Sequence, residues 1–141
     1  MQMAPYLSFN GDCEEAFRFY AQCLGGRVGD LFRYGGSPME GEMPAGWADK
    51  IMHGSVQVGD QTIMGADMVP GQYEEPKGFS LSLHLKSAAE GERIFHELAS
   101  GGRVVMPPGK TFWAALFGML VDRHGIPWTI NCEEAGETAA A

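Results

Sequence analysis

The chain has 141 residues, enough for one compact core and short for two independent domains. Hydrophobic residues make up 45% and charged residues 20%, an ordinary globular mix that excludes the disordered and fibrous classes. The formal charge of −8, from 18 acidic against 10 basic residues with no Lys and Arg cluster, argues against nucleic acid and anionic membrane surfaces as partners and leaves a small organic molecule as the expected one.

The first residues, MQMAPYLSF, carry no basic segment followed by an apolar run, and no window approaches the length of a membrane span, so a soluble, cytoplasmic protein is expected. Cys13, Cys23 and Cys132 make neither an even disulfide framework nor a C-x-x-C pair, which fits a reducing compartment and disfavours structural zinc. Cys13 falls in the first turn of a predicted helix, where the dipole can lower a thiol pKa; a small buried hydrophobe is the simpler expectation.

Residues 4–9, APYLSF, read as a strand leading to Gly11 and Asp12. Asp12 with Glu15 fits a capping box, and Cys13, Ala16, Phe17, Tyr20, Cys23 and Leu24 recur at helical spacing until Gly25 and Gly26 stop the helix. A second strand runs from Arg27 to about Tyr34, and GGSPMEGEMPAGW follows as a long loop fit for a lid or a pocket rim. IMHGSVQV and QTIMGA then form a hairpin about Gly59 and Asp60. After the loop MVPGQYEEPKG the order begins again. FSLSLHL alternates as a strand, Ser87 with Glu90 caps a helix carrying Gly91, Ile94, Phe95 and Leu98, Gly101 and Gly102 close it, and RVVMP, FWAALFGMLVD and IPWTINC supply three more strands.

An internal repeat is the strongest signal, because Gly25-Gly26-Arg27-Val28 returns as Gly101-Gly102-Arg103-Val104, 76 residues on, and Phe19 and Phe95 share that offset. The expected fold class is therefore α+β: two β-α-β-β-β modules, about 4–66 and 78–133, forming a curved mixed sheet around a cleft within a single domain, 1–133. Residues 134–141, acidic and without large apolar side chains, are expected to be a disordered tail.

The segments PYLSFNG, DCEEAFRFY, IMHGSVQVGD, TFWAALFGMLVD and DRHGIPWTIN, spread over roughly residues 4 to 132, resemble the PhnB-like family of the vicinal oxygen chelate superfamily, which also holds glyoxalase I, extradiol dioxygenases and bleomycin-resistance proteins. The resemblance implies a cleft that in the superfamily's enzymes holds a divalent metal on four side chains. Carried over by position, those ligands fall on Pro5, near Met64, on Ser80 and on Thr129, none of which suits a divalent ion in an N/O site. No metal ligand set and no cofactor is therefore expected. Aromatic residues, including Trp128, several methionines and a few polar groups remain to line an apolar pocket.

His53 has the titration range for acid–base work, with a structural hydrogen bond as the simpler role, and His84 sits on the polar face of its strand. Asp67 ends a strand, where it can orient a ligand or cap a turn. His96 and His124 are expected in solvent, and Asp122 with Gly125 is expected to make a turn. The ligand-binding candidates are His53, Asp67, Ser80, His84, Phe112, Trp113, Phe117 and Thr129.

Three functions compete. The first is a metal-independent protein or enzyme binding a small organic molecule; the second is a metal-dependent lyase or dioxygenase with relocated ligands such as His53, His84 and Asp67; the third is a resistance protein that sequesters a drug. The ubiquinone-pathway methyltransferase label attached to PhnB-like proteins finds no support in the chain, which has no G-x-G-x-x-G after a strand and no alternating strand and helix order. A homodimer is expected from the superfamily and from the exposed sheet edges.

Overall fold

A computed structural model describes residues 1–133, which divide into two units with the boundary between Glu75 and Pro76. The acidic tail expected at 134–141 lies outside the described residues. In the first unit β1 (Tyr6–Phe9), α1 (Cys13–Leu24), β2 (Arg27–Arg33), β3 (Ile51–Val58) and β4 (Gln61–Asp67) follow in order. The second unit repeats them as β5 (Leu81–Leu85), α2 (Ala88–Ala99), β6 (Arg103–Gly109), β7 (Leu116–Val121) and β8 (Pro127–Cys132).

Each unit has one four-stranded mixed sheet, in the orders β1-β4-β3-β2 and β5-β8-β7-β6, so both place the first and last strands side by side and parallel. The expected two-module α+β organisation is thus observed in each half. One helix packs on one face of each sheet. In the first unit Cys13, Ala16, Phe17, Tyr20 and Cys23 of α1 are buried, as are Leu7, Phe9 and Val56 of the sheet beneath. In the second, Gly91, Ile94, Phe95 and Leu98 of α2 are buried, as are Leu116, Leu120, Trp128, Ile130 and Cys132.

The repeat is exact in kind but carries one inserted residue. Tyr20 and Phe95, Cys23 and Leu98, Ala16 and Gly91 are the matched buried positions, which sets the helices 75 residues apart, while Ser100 after α2 restores the offset of 76 at the following glycines. Phe19, half-buried, therefore does not correspond to the fully buried Phe95 as its spacing suggests. Gly26 and Gly102 do correspond. A Cβ at Gly26 would strike the Gln57 carbonyl, and one at Gly102 the Val121 carbonyl, the same close approach of chain to neighbouring strand in both units.

Several local expectations are corrected. Asp12 is the N-cap of α1 but makes no side-chain cap bond; the first N–H of the helix, that of Cys13, instead donates to Asp67 Oδ1 at 2.9 Å, from a residue distant in sequence. Ser87 does cap α2, accepting from Glu90 N at 3.2 Å. Gly25 takes the left-handed conformation at φ 69° and ends α1. The strand expected from Phe112 begins only at Leu116, because Thr111 Oγ1 accepts the N–H groups of Trp113 and Ala114 and bends the chain there. The strand expected from Phe79 begins at Leu81. The long loop after β2 is not featureless: it holds a single 3-10 turn, Glu40–Glu42, and Tyr34 and Gly35 are tied to Lys50 and Ala48 by main-chain bonds.

Glu14, in the first turn of α1, links that helix to β2. Arg33 donates to both its carboxylate oxygens at 2.9 and 3.2 Å, and Arg18 donates to Oε2 at 2.7 Å. These bonds, Arg33 first, lower the Glu14 pKa to about 2. Because the folded value lies below the unfolded one, the stabilisation is present above the ordinary carboxylate range and is lost as pH falls towards 2. All three side chains are partly in water, so the effect is discounted to about 1 kcal/mol or less. Replacing Glu14 by Gln should lower the urea midpoint at neutral pH and leave it close to wild type near pH 2, measured as unfolding curves across that range.

Candidate functional site

Alternation fixes which side chains lie opposite the helix. In the second unit Leu81, Leu83 and Leu85 pair with Trp128, Ile130 and Cys132 on the helix side, so Ser82 and His84 pair with Thr129 and Asn131 on the helix-free face. Met119 and Phe117 of β7 pair with the same Thr129 and Asn131, and Met106 of β6 pairs with Met119. Five of the sequence candidates, Ser80, His84, Trp113, Phe117 and Thr129, are thereby brought to one face.

That face has two rows. Along β5 and β8 run hydrogen-bonding groups: Ser80 Oγ and Thr129 Oγ1 are 2.8 Å apart, Ser82 Oγ and His84 Nε2 are 3.0 Å apart, and Trp113 Nε1 donates to Asn131 Oδ1 at 3.2 Å. Along β7 and β6 run Val121, Met119, Phe117 and Met106. At one end a hollow of about 380 Å³ is lined by Gly78, Phe79, Ser80, Val105, Met119, Leu120, Val121, Pro127 and Trp128. At the other, the Trp113 ring stands edge-on to Phe117 with centroids 5.2 Å apart, and Phe112, 87% exposed, stands edge-on to Trp113. Asn131, Ser82, Met106 and Met119 were missed by sequence reasoning, although the two-residue alternation of FSLSLHL and PWTINC could have found Asn131 and Ser82.

In the first unit the helix-free face carries Tyr6, Phe32 and His53. Tyr6 Oη lies 3.0 Å from His53 Nδ1, and both Tyr6 and Phe32 rings are within 27–29° of parallel to the imidazole. Pro5 precedes β1, and because Leu7 and Phe9 are buried beneath α1, the residues of the first strand on the helix-free face are Tyr6 and Ser8. The position-by-position match to Pro5 is one residue out of phase with the pleat.

Asp67 stands apart from the other candidates. It is 1% exposed on the helix side, with Oδ1 accepting from Cys13 N and Oδ2 from Ile51 N at 2.8 Å, so it binds the N-terminus of α1 to the start of β3. The Tyr34 hydroxyl donates to its carbonyl oxygen at 2.8 Å. The Cys13 thiol is raised in pKa, first by burial and then by the charges of Asp67, Asp12 and Glu14, so the helix terminus does not activate it. Trp128 is 1% exposed and donates to Asp122 Oδ2 at 2.8 Å, which places it in the core. Asp122 makes the expected turn, accepting from His124 N and Ile126 N through Oδ1, with Gly125 at φ 87°. His124, expected in solvent, is buried by that turn; His96 is exposed as expected. Among the described residues no three His, Cys, Asp or Glu side chains gather as a metal set, and no helix is long and apolar enough to cross a membrane.

The β-α-β-β-β order of each unit is a fold shared with solved proteins of the glyoxalase, bleomycin-resistance and dioxygenase type. A glyoxylase/bleomycin resistance protein/dioxygenase domain from Frankia sp. EAN1pec shares the fold with a TM-score of 0.66 at 13% identity, over 95% of this chain and 98% of that one. Within that class the chain belongs to the PhnB-like family, whose model, described as 3-demethylubiquinone-9 3-methyltransferase, matches residues 1–131. It is 51% identical to protein PA1353 from Pseudomonas aeruginosa, with a TM-score of 0.85 over 94% of this chain and 98% of that one. It is 34% identical to protein YjdN of Escherichia coli (strain K12), over 93% of this chain and 95% of that protein.

Replacing Asp67 by Ala should remove acceptors from two buried main-chain N–H groups and cost about 2–4 kcal/mol of folding free energy, read from urea unfolding.

Proposed function

We propose that this protein binds a small amphipathic organic molecule on the helix-free face of the second unit, without protein ligands for a divalent metal. The observation that supports it is the pairing of rows: hydroxyl, imidazole and amide groups along β5 and β8 beside methionine and aromatic side chains along β7 and β6. An apolar surface supplies most of the binding free energy, and a few fixed polar groups set orientation. The resemblance assigns Ser80 and Thr129 to positions where the superfamily's metal enzymes carry ligands, and two neutral hydroxyls bonded to each other suit a ligand oxygen or nitrogen better than a divalent cation.

Methyl transfer, the activity in the family model's description, is not carried over. Each unit runs β-α-β-β-β and lacks the alternating parallel order and glycine-rich turn of a nucleotide-type methyl-donor site. The reading includes a cytoplasmic homodimer, since β6 is an edge strand with Val104, Val105 and Met106 exposed along it.

N-phenyl-1-naphthylamine, a neutral fluorophore with one N–H, is the test ligand. It should bind with enhanced emission and quench Trp113, a loss that Trp113→Phe abolishes. The double variant Ser80→Ala with Thr129→Val should weaken binding by about 3- to 10-fold, the worth of one hydrogen bond, and Met119→Asp should prevent it. Unchanged binding in both variants, or a near-stoichiometric copurifying metal whose removal abolishes binding, would overturn the reading.

A further inference from the structure

His53 lies in the middle of a row of rings. Its strand, β3, has β2 on one side, supplying Phe32, and β4 on the other, across which Tyr6 reaches from β1. The centroid distances are 6.2 Å to Phe32 and 5.6 Å to Tyr6, at interplanar angles of 27° and 29°, so the three rings stand stacked in a row with His53 in the middle. Phe32 and Tyr6 are both about half exposed. The half-exposed outer rings of such a row offer faces and edges against which a planar π-system can pack.

The polar part of the row is specific. Nδ1 of His53 is engaged by the Tyr6 hydroxyl, and Nε2 has no hydrogen-bond partner among the described residues. A phenol oxygen can accept as well as donate. With Nδ1–H donating to Tyr6 Oη, Nε2 presents a lone pair, and the Tyr6 O–H is free to donate elsewhere. Burial raises the Tyr6 pKa, which keeps the phenol protonated as such a donor.

We propose that Tyr6 and His53 are an acid–base pair that binds the hydroxyl of a planar phenol- or enol-type ligand and takes its proton. The ligand O–H bond breaks and the Nε2–H bond forms, both electrons of the broken bond staying on the ligand oxygen. The resulting imidazolium keeps its Nδ1–H bond to Tyr6 Oη and stands beside the ligand oxyanion; no further reactant is needed. Tyr6 is the positioning residue, fixing the tautomer that leaves Nε2 basic. The proposal is argued from residues of the first unit alone and does not rest on the reading of the second unit's face.

4-Nitrophenol serves as the probe, because its phenolate absorbs where the phenol does not. At a pH just below the point where the free probe ionises, the wild-type protein should generate the phenolate band on titration. His53→Gln should abolish the band, Tyr6→Phe should weaken it about 2- to 10-fold, as expected for one lost hydrogen bond, and Phe32→Ala should raise the probe's Kd. His96→Gln, at an exposed histidine of α2, should leave the band intact, which shows that an imidazole elsewhere does not generate it. Nitrogen-15 NMR of the His53 ring gives a readout on unmutated protein: a neutral Nδ1–H tautomer alone, and protonation of both nitrogens with probe bound. No band in the wild type, a band that survives His53→Gln or is undiminished in Tyr6→Phe, or a His53 ring that stays neutral at saturation would overturn the proposal.

Discussion

One helix of twelve residues covers one face of a four-stranded sheet, and the period of two in a strand sends every other side chain to the opposite face. That constraint orders everything else. Burying Leu7, Phe9, Phe17 and Tyr20 in one unit, or Trp128, Ile130 and Phe95 in the other, contributes about 1.5–3 kcal/mol per side chain. A slip of one residue would forfeit a whole row of these, so the register cannot drift. The positions of His53, Thr129 and Asn131 on the helix-free faces are thus held by the apolar residues next to them, and the weak hydrogen bonds they make there need only orient them.

Two buried aspartates close the units in different ways. Asp122 works locally, gathering the N–H groups of a turn and the Trp128 indole, all within six residues. Asp67 works at long range: it answers the first N–H of α1 and the first N–H of β3 with one carboxylate, tying the last strand of the unit to elements formed well before it in the chain. A negative group at a helix N-terminus also meets the positive end of the helix dipole. Burial first, and then the same charge, hold Cys13 as a thiol where helix geometry alone would favour a thiolate.

This difference in range separates what the sequence made legible from what it did not. The helical stripes, the alternation of FSLSLHL and the doubled Gly-Gly-Arg-Val are local patterns, and each leads to the element observed. Asp12 with Glu15 satisfies the local pattern of a capping box, yet the bond to Cys13 N comes from Asp67, 54 residues away, and no local spacing reports that. Phe112 and Trp113 have strand propensity, but Thr111 captures the following main-chain N–H groups and turns both rings out of the strand. The Tyr6, Phe32 and His53 cluster joins three strands, and only the order β1-β4-β3-β2 shows that they meet. Ser80 with Thr129 was found as a pair of positions; their mutual hydrogen bond needed coordinates.

Comparing the units with each other shows where chemistry is free to differ. On the helix side the matched positions keep their character, Tyr20 with Phe95, Cys23 with Leu98, Ala16 with Gly91, because each must fill or vacate a fixed volume against the sheet. The Gly91 case shows how tight that volume is: a Cβ there would meet Cys132 Sγ. On the helix-free side the faces diverge, one into an imidazole and phenol set among aromatic rings, the other into hydroxyls, an imidazole and an amide beside methionines. The first set joins its imidazole to a phenol hydroxyl, and the second joins its imidazole to a serine hydroxyl. A duplicated scaffold with a common pattern of helix-side packing therefore presents two helix-free faces of different chemistry.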